Sequence, residues 1–336
     1  VGIVAAAWST GTNPDNYRVT SVKGALEVTQ NAGALGITAD GVTLTYDGQG
    51  HRLGYTVTAP EGTPYTVYYR LEDGNWGKLT QGGLLPEQTE AGVYAFGLKV
   101  ESPYYAGVGE TSAILTISRR PVTLVAGQSY GNVYTGGAYT VGYTVADATE
   151  DTGLLEGDRA TAELAGATQI EAGAYVVTFD TDATRIRSGS ANVTANYIIA
   201  YQSGALEILK AESVTADVTA AHIYDAQPHG YALPALQSTD GKALSGTSLA
   251  WSDTLLAPDA EGWQTGALPA ETAVKAIGAD GLPVSYTLYV RLTHPNYRTQ
   301  IARTSLTIEP AAVTLTADSR ADFPYTLLPD GTAKVW

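Results

Sequence analysis

The chain has 336 residues, with 34 acidic against 19 basic side chains, a net charge of −15, and neither cysteine nor methionine. Zero cysteine excludes disulfide frameworks, thiolate metal sites, iron–sulfur clusters and thiol nucleophiles together, and the acidic balance argues against nucleic acid and anionic lipid, which reward basic surfaces. With 44% hydrophobic residues and a mean hydropathy of −0.05, the chain is not of disordered composition, and its length allows roughly two to four domains.

In chain order, the sequence opens on an apolar run, Val1-Gly2-Ile3-Val4-Ala5-Ala6-Ala7-Trp8, too short to cross a bilayer and without the basic flank of a signal peptide. No later stretch approaches the ~18 apolar residues of a membrane span, so no direct membrane insertion is expected. Next comes Asn13-Pro14-Asp15-Asn16-Tyr17 running to Ala25-Leu26-Glu27-Val28. This segment returns three times. Ser102-Pro103-Tyr104-Tyr105 runs to Ala113-Ile114-Leu115-Thr116-Ile117, Ala195-Asn196-Tyr197 to Ala205-Leu206-Glu207-Ile208, and His294-Pro295-Asn296-Tyr297 to Ser305-Leu306-Thr307-Ile308. A second motif recurs out of phase with it: Tyr46-Asp47-Gly48-Gln49-Gly50-His51, then Tyr134-Thr135-Gly136-Gly137, then Tyr224-Asp225-Ala226-Gln227-Pro228-His229.

Two motifs sharing a period of about ninety residues identify tandem repeats. Boundaries fall where one closing strand meets the next opening strand. Residues 1–30 read as the back part of a repeat, 31–119, 120–210 and 211–310 as whole repeats, and 311–336 as the front part of another. Tyr17, Tyr46, Tyr105, Tyr134, Tyr197, Tyr224 and Tyr297 are expected to be structural markers of the repeat. The connections are short and lack a Gly/Ser-rich tether, so neighbouring repeats are expected to stack stiffly as a rod.

Within a repeat the apolar period is two, as in Val93-Tyr94-Ala95-Phe96-Gly97-Leu98 and Tyr286-Thr287-Leu288-Tyr289-Val290. Strands rich in Val, Thr and Tyr, punctuated by Gly, Pro and Asp, predict an all-β fold of tandem immunoglobulin-like β-sandwiches. A β-grasp-like unit with one short helix is the competing topology, with helix candidates at residues 154–160 and 269–273.

On these motifs the chain resembles the tyrosine-aspartate-glycine (YDG) and MBG-type repeats of bacterial cell-surface adhesins. The resemblance implies a secreted or wall-attached bacterial protein of many repeats, serving as a stalk, fibre or adhesive array. The repeat at 120–210 departs from it, with Tyr134-Thr135-Gly136 in place of the acidic tripeptide, and the last fragment offers only Phe323-Pro324-Tyr325. Leu328-Pro329-Asp330-Gly331-Thr332 differs from the Leu-Pro-x-Thr-Gly anchor signal by transposed final residues and is not read as an anchor.

Chemistry-bearing constellations are sparse. His51 and His229 occupy the same place in separate motif copies, which suits a turn better than one shared active site, and no Gly-x-Ser-x-Gly elbow occurs. The acidic residues between Asp147 and Asp158 are the place to look for calcium, but no Asp-x-Asp-x-Asp-Gly loop is present and a solvated acidic loop is the plainer reading. Lys–Asn isopeptide crosslinks would need a lysine at one repeated strand position, and the lysines do not recur that way. Tyr68, Tyr69, Trp76, Tyr104 and Tyr105 could stack on sugars or serve as ordinary strand-pairing aromatics.

The sequence thus reads as a non-enzymatic extracellular surface protein, a structural stalk or fibre of adhesin type. It has no catalytic residue, cofactor or metal, and its partners are neighbouring repeats or copies of itself. One alternative is binding of host glycan or mucin through those five aromatics. Another is a filament in which residues 311–336 of one copy and 1–30 of the next exchange strands head to tail. The two end pieces fall well short of a whole repeat, which favours a window on a longer array.

Overall fold

A computed structural model of the chain describes residues 7–79, 82–317, 325–330 and 333–335. Val1 to Ala6 and Phe323-Pro324 lie outside them. The fold is all-β: 48% of residues are in strands, and the helical turns among the described residues are two short 3-10 turns, Pro14–Asn16 and Thr194–Asn196. Both helix candidates are corrected. Gly157 takes φ +89°, which breaks any helix through 154–160, and from Asp158 burial alternates residue by residue as in a strand. Ala270–Glu271 pairs with His229–Gly230 instead of coiling.

The first repeat segment supplies β1 (Gly36–Thr38), β2 (Val42–Thr45), β3 (Thr56–Thr58), β4 (Thr66–Leu71), β5 (Gly77–Leu79), β6 (Gly92–Ser102) and β7 (Tyr105–Ser118). The next supplies β8 (Arg120–Ala126), β9 (Gln128–Val133), β10 (Tyr139–Thr140), β11 (Tyr143–Val145), β12 (Asp158–Ala165), β13 (Thr168–Gln169), β14 (Gly173–Ser188), β15 (Ala191–Asn192), β16 (Tyr197–Gln202) and β17 (Gly204–Leu209). The last supplies β18 (Ser213–Val214), β19 (Val218–Ile223), β20 (His229–Gly230), β21 (Gln237–Ser238), β22 (Ser248–Ser252), β23 (Gln264–Thr265), β24 (Ala270–Glu271), β25 (Tyr286–Thr293) and β26 (Gln300–Glu309).

The chain divides into two compact units: Val1–Gly127 with Gly142–Ala165 and Val177–Gly204, and Gln128–Val141 with Gly166–Val176 and Ala205–Trp336. Segment 120–210 contributes to both. In the first unit β1 pairs with β3, then the chain crosses so that β2 runs parallel to β7 in a five-stranded sheet of order β2-β7-β6-β4-β5. An opening strand that switches layers and ends parallel to the closing strand gives an immunoglobulin-like sandwich. Its core follows from the period of two: along β6 the even-numbered Phe96, Leu98 and Val100 point inward and meet Val67, Leu115 and Ile117, all at 2% exposure or less. Each such fully buried side chain contributes roughly 1.5–3 kcal/mol of hydrophobic stabilisation. In the same unit β8 pairs antiparallel with β11 and parallel with β16, and β12 pairs with β14.

In the second unit β9 runs parallel to β17, and β10 pairs with β13. A five-stranded sheet of order β19-β26-β25-β22-β23 again sets an early strand, β19, parallel to the closing strand β26. Leu236, Val290, Leu292 and Ala302 form one buried cluster there, and Tyr231, Leu288, Leu306 and Ile308 another.

Candidate functional site

Strand register explains why two motifs recur with one period. The backbone N–H of Tyr46 donates to the carbonyl of Ser118 at 2.9 Å, that of Tyr134 to Leu209 at 2.9 Å, and that of Tyr224 to Glu309 at 2.8 Å. Each acceptor directly follows the last buried residue of a closing strand, Ile117, Ile208 or Ile308. The other motif tyrosines, Tyr105, Tyr197 and Tyr297, pair in parallel with Asn31, Arg120 and Ala211, the first residues of their segments.

These elements bring distant motif residues into one clasp, made twice. In the first unit Asn196 is 1% exposed. Its Oδ1 accepts the Ala91 N–H at 2.9 Å and its Nδ2 donates to Glu90 Oε2 at 2.5 Å, while Tyr46 and Tyr197 stack edge to face with centroids 5.7 Å apart. In the second unit Asn296 is 5% exposed. Its Oδ1 accepts the Ala172 N–H at 2.9 Å, its Nδ2 donates to Glu171 Oε2, and Tyr134 meets Tyr297 edge to face at 5.5 Å. An amide side chain suits this role because it offers an acceptor and a donor side by side. Edge-to-face tyrosine pairs add ~0.5–1.5 kcal/mol beyond the area they bury.

The clasps differ in their support. Tyr197 Oη donates to Asp158 Oδ2 at 2.6 Å and accepts the Leu155 N–H at 3.2 Å. Burial, with the Asp158 carboxylate beside it, pushes the Tyr197 phenol well above the usual tyrosine range. Leu155 and Asp158 follow a loop wrapped around the buried Arg120 guanidinium, whose Nε donates to Gly153 O, Nη1 to Glu150 O and Nη2 to Thr149 O and Thr152 O, at 2.7–2.9 Å. At the other clasp, Ala211 stands where Arg120 does, and His294 packs edge to face on Tyr297 at 5.2 Å.

The remaining tyrosines of the motif set are open: Tyr17 is 61% exposed and Tyr224 42%. Of the five aromatics considered for sugar stacking, Tyr68 and Trp76 are brought together, with Lys99 Nζ 4.8 Å and 5.1 Å from their ring centres and Arg70 5.0 Å from Trp76. Tyr69, on the opposite face of β4, packs against the core, as does Tyr105, and Tyr104 is exposed at the β6–β7 turn. The rings therefore form no single platform, and two cations stand over the Trp76 ring, which is 39% exposed.

His51 and His229 each meet the aspartate of their own motif, Nε2 to Oδ1 at 2.8 Å for Asp47 and 2.9 Å for Asp225. The same Oδ1 atoms accept the Gln49 and Gln227 N–H groups, so these pairs lock turns. Among the described residues no group of three or more His, Asp or Glu side chains is placed to hold a metal. Within the Asp147–Asp158 loop, the carbonyls of Thr149, Glu150, Thr152 and Gly153 accept hydrogen bonds from Arg120.

The turn aspartates predict an acid limb. Burial raises the Asp47 carboxyl, but the His51 hydrogen bond and the Gln49 N–H outweigh it and hold it below the usual aspartate value of 3.8; for Asp225 the Gln227 N–H leads and His229 adds. Lowered folded-state values mean stabilisation that is present above the ordinary aspartate range and lost as pH falls through the folded values. The D47N/D225N variant should therefore lose less thermal stability between about pH 5 and pH 2.5, to be followed by melting at each pH; an unchanged acid limb would show that these turns contribute nothing to it.

No family model matches the chain, and no curated protein matches it. Solved structures with similar folds include protocadherin gamma B7 extracellular cadherin domains 1–4 (11% identity, 73% of this chain and 67% of that one, TM-score 0.28). Others are Drosophila N-cadherin EC1–3 (11%, 82% and 99%, TM-score 0.25) and Drosophila OTK extracellular domains 3–5 (10%, 84% and 100%, TM-score 0.22). At these scores the likeness carries no assignment of activity or partner. Among the described residues no helix is long and apolar enough to cross a membrane.

Proposed function

We propose that this chain is a non-enzymatic structural element of an extracellular bacterial surface protein, in which repeats 31–119, 120–210 and 211–310 form a load-bearing stalk. The clasp supports this reading. Asn196 and Asn296 each tie the start of one closing segment to the Glu-Ala pair of the preceding repeat, with the same two hydrogen bonds and the same tyrosine pair. A device repeated at successive junctions serves mechanical continuity, whereas an active site needs to be made only once. The bacterial surface setting follows the resemblance to adhesin repeats.

The head-to-tail filament has one observation in its favour. Leu26 and Val28 are 72% and 86% exposed, although their motif counterparts Leu206 and Ile208 are 1% and 2% exposed. Exchange between the two ends would pair only an opening with a closing strand, without counterparts of Phe96, Val177 or Leu288, so the stalk reading is preferred. Pulling single molecules tests it. At ~3.3–3.6 Å per extended residue a ninety-residue repeat holds about 30 nm of chain, and since segment 120–210 is shared between the two compact units, extension should proceed through discrete force peaks that each release at least that length. Smooth extension without peaks would sink the load-bearing role.

A further inference from the structure

The first unit carries an arginine row that the clasp does not use. In the β12–β14 pair Arg159 stands directly opposite Arg187, and Thr161 opposite Arg185. Directly opposed residues hold their Cβ atoms about 4.5–5.5 Å apart, and residues two apart on a strand share a face, so the three arginines form one group. Ile186, between Arg185 and Arg187, is fully buried, which turns the arginines outward, and all three are exposed. Like charges placed opposite each other weaken a sheet. Here they persist in a chain of net charge −15, where acidic partners abound.

Arg52, Arg298 and Arg303 do pair, with Glu87, Glu212 and Asp217. Among the described residues, no ion pair involves Arg159, Arg185, Arg187 or Arg119. Arg185 Nη1 donates to the Asp182 and Thr184 carbonyls at 2.6 and 2.7 Å, and Arg187 Nη1 to Ser190 O at 3.3 Å, contacts that orient the guanidinium groups without neutralising them. Arg159 and Arg187, with Thr161, line a cleft of about 220 Å³. Arg185 and Arg119, with Thr181 and Thr194, line a second of about 660 Å³, in which Asp182 is the single carboxylate.

We propose that this row binds an anionic polysaccharide, its guanidinium groups taking sulfate or carboxylate substituents and the exposed Thr181 hydroxyl meeting a sugar hydroxyl. Guanidinium groups recognise both anions through paired N–H donors. A sparsely charged glycan can place its anions on the row, whereas the dense charge of a nucleic acid would be repelled by the acidic remainder of the chain. The inference is independent of the stalk reading, since a stalk needs no ligand.

The test is titration of the full chain with kappa-carrageenan, which carries one sulfate per disaccharide, hyaluronan, which carries one carboxylate per disaccharide, and a single-stranded DNA oligonucleotide at low salt. Binding of the sulfated glycan, of hyaluronan or of both is expected, and because the two match in charge density, which of them binds distinguishes sulfate from carboxylate. The R159A/R185A/R187A variant should weaken it at least tenfold while melting no lower than wild type, because opposed like charges have been removed. The lysine triple variant should retain part of the affinity, and R70A/K99A should bind as wild type. Failure of both glycans to bind, undiminished binding by the alanine triple variant, or DNA bound as tightly as glycan would each overturn the assignment.

Discussion

Asn196→Ala should destabilise the first compact unit by about 2–3 kcal/mol, one of the two largest effects expected of a single polar substitution in this chain. Alanine removes both clasp hydrogen bonds at a position only 1% exposed. The Ala91 N–H is left inside the clasp without an acceptor, and an unsatisfied buried donor alone costs about 1–3 kcal/mol. Glu90 lies at the surface and regains water, which caps the loss on that side. Asn296→Ala should do the same in the second unit, and since the two sites share no partner, the double variant should show the sum within ~0.5 kcal/mol. Asn196→Asp is the sharper probe. It keeps an acceptor for Ala91 but sets a carboxylate against Glu90, so it should be at least as damaging at neutral pH and partly recover on acidification. Urea denaturation measures all four proteins; a loss below about 0.5 kcal/mol for Asn196→Ala would show that the clasp holds nothing.

What the sequence disclosed and what it hid divide along contact range. The repeating tyrosines and closing Leu-x-Ile pairs stand out in the sequence, and in the structure Tyr46, Tyr134 and Tyr224 each bond through the backbone to the last residue of a closing strand. The all-β class was readable from period-two alternation such as that of β6. The clasp was not, because Asn196 meets Glu90 and Ala91 more than a hundred residues upstream, and nothing local marks an asparagine as buried. A signal was available: Glu90-Ala91-Gly92 and Glu171-Ala172-Gly173 repeat, each two residues before a strand tyrosine. The helix candidate at 154–160 failed because apolar and charged residues around a turn glycine mimic a short amphipathic stretch. Aromatic residues are conspicuous in the sequence, yet charge without an ion pair among the described residues lies on arginines, whose opposition across β12 and β14 depends on strand register.

The acidic loop between Asp147 and Asp158 leads to the other large effect. Arg120 is 4% exposed, none of its four hydrogen-bond partners is a carboxylate, and its charge is held by four carbonyl dipoles of residues 149–153. This arrangement does for the loop what a bound cation would do, and it sets Leu155 and Asp158 against the Tyr197 hydroxyl. Arg120→Ala should therefore cost about 3–4 kcal/mol, as several carbonyls lose their donor together and the loop behind them loosens. Arg120→Lys should recover only part, because three ammonium donors on a single nitrogen cannot span the four acceptors of a planar fork. Gly153→Ala should be comparably damaging, since φ is +82° and an added Cβ would fall 2.5 Å from the Ala148 Cα. If the loop acts through the clasp, Tyr197→Phe should cost less in the Arg120→Ala background than alone, with a coupling of at least ~0.5 kcal/mol. Millimolar calcium should leave the melting of the wild-type chain unchanged, because the guanidinium already occupies these four carbonyls. A calcium-dependent rise in the wild-type melting temperature, or strict additivity of the Arg120 and Tyr197 changes, would break the link between this internal cation and the clasp.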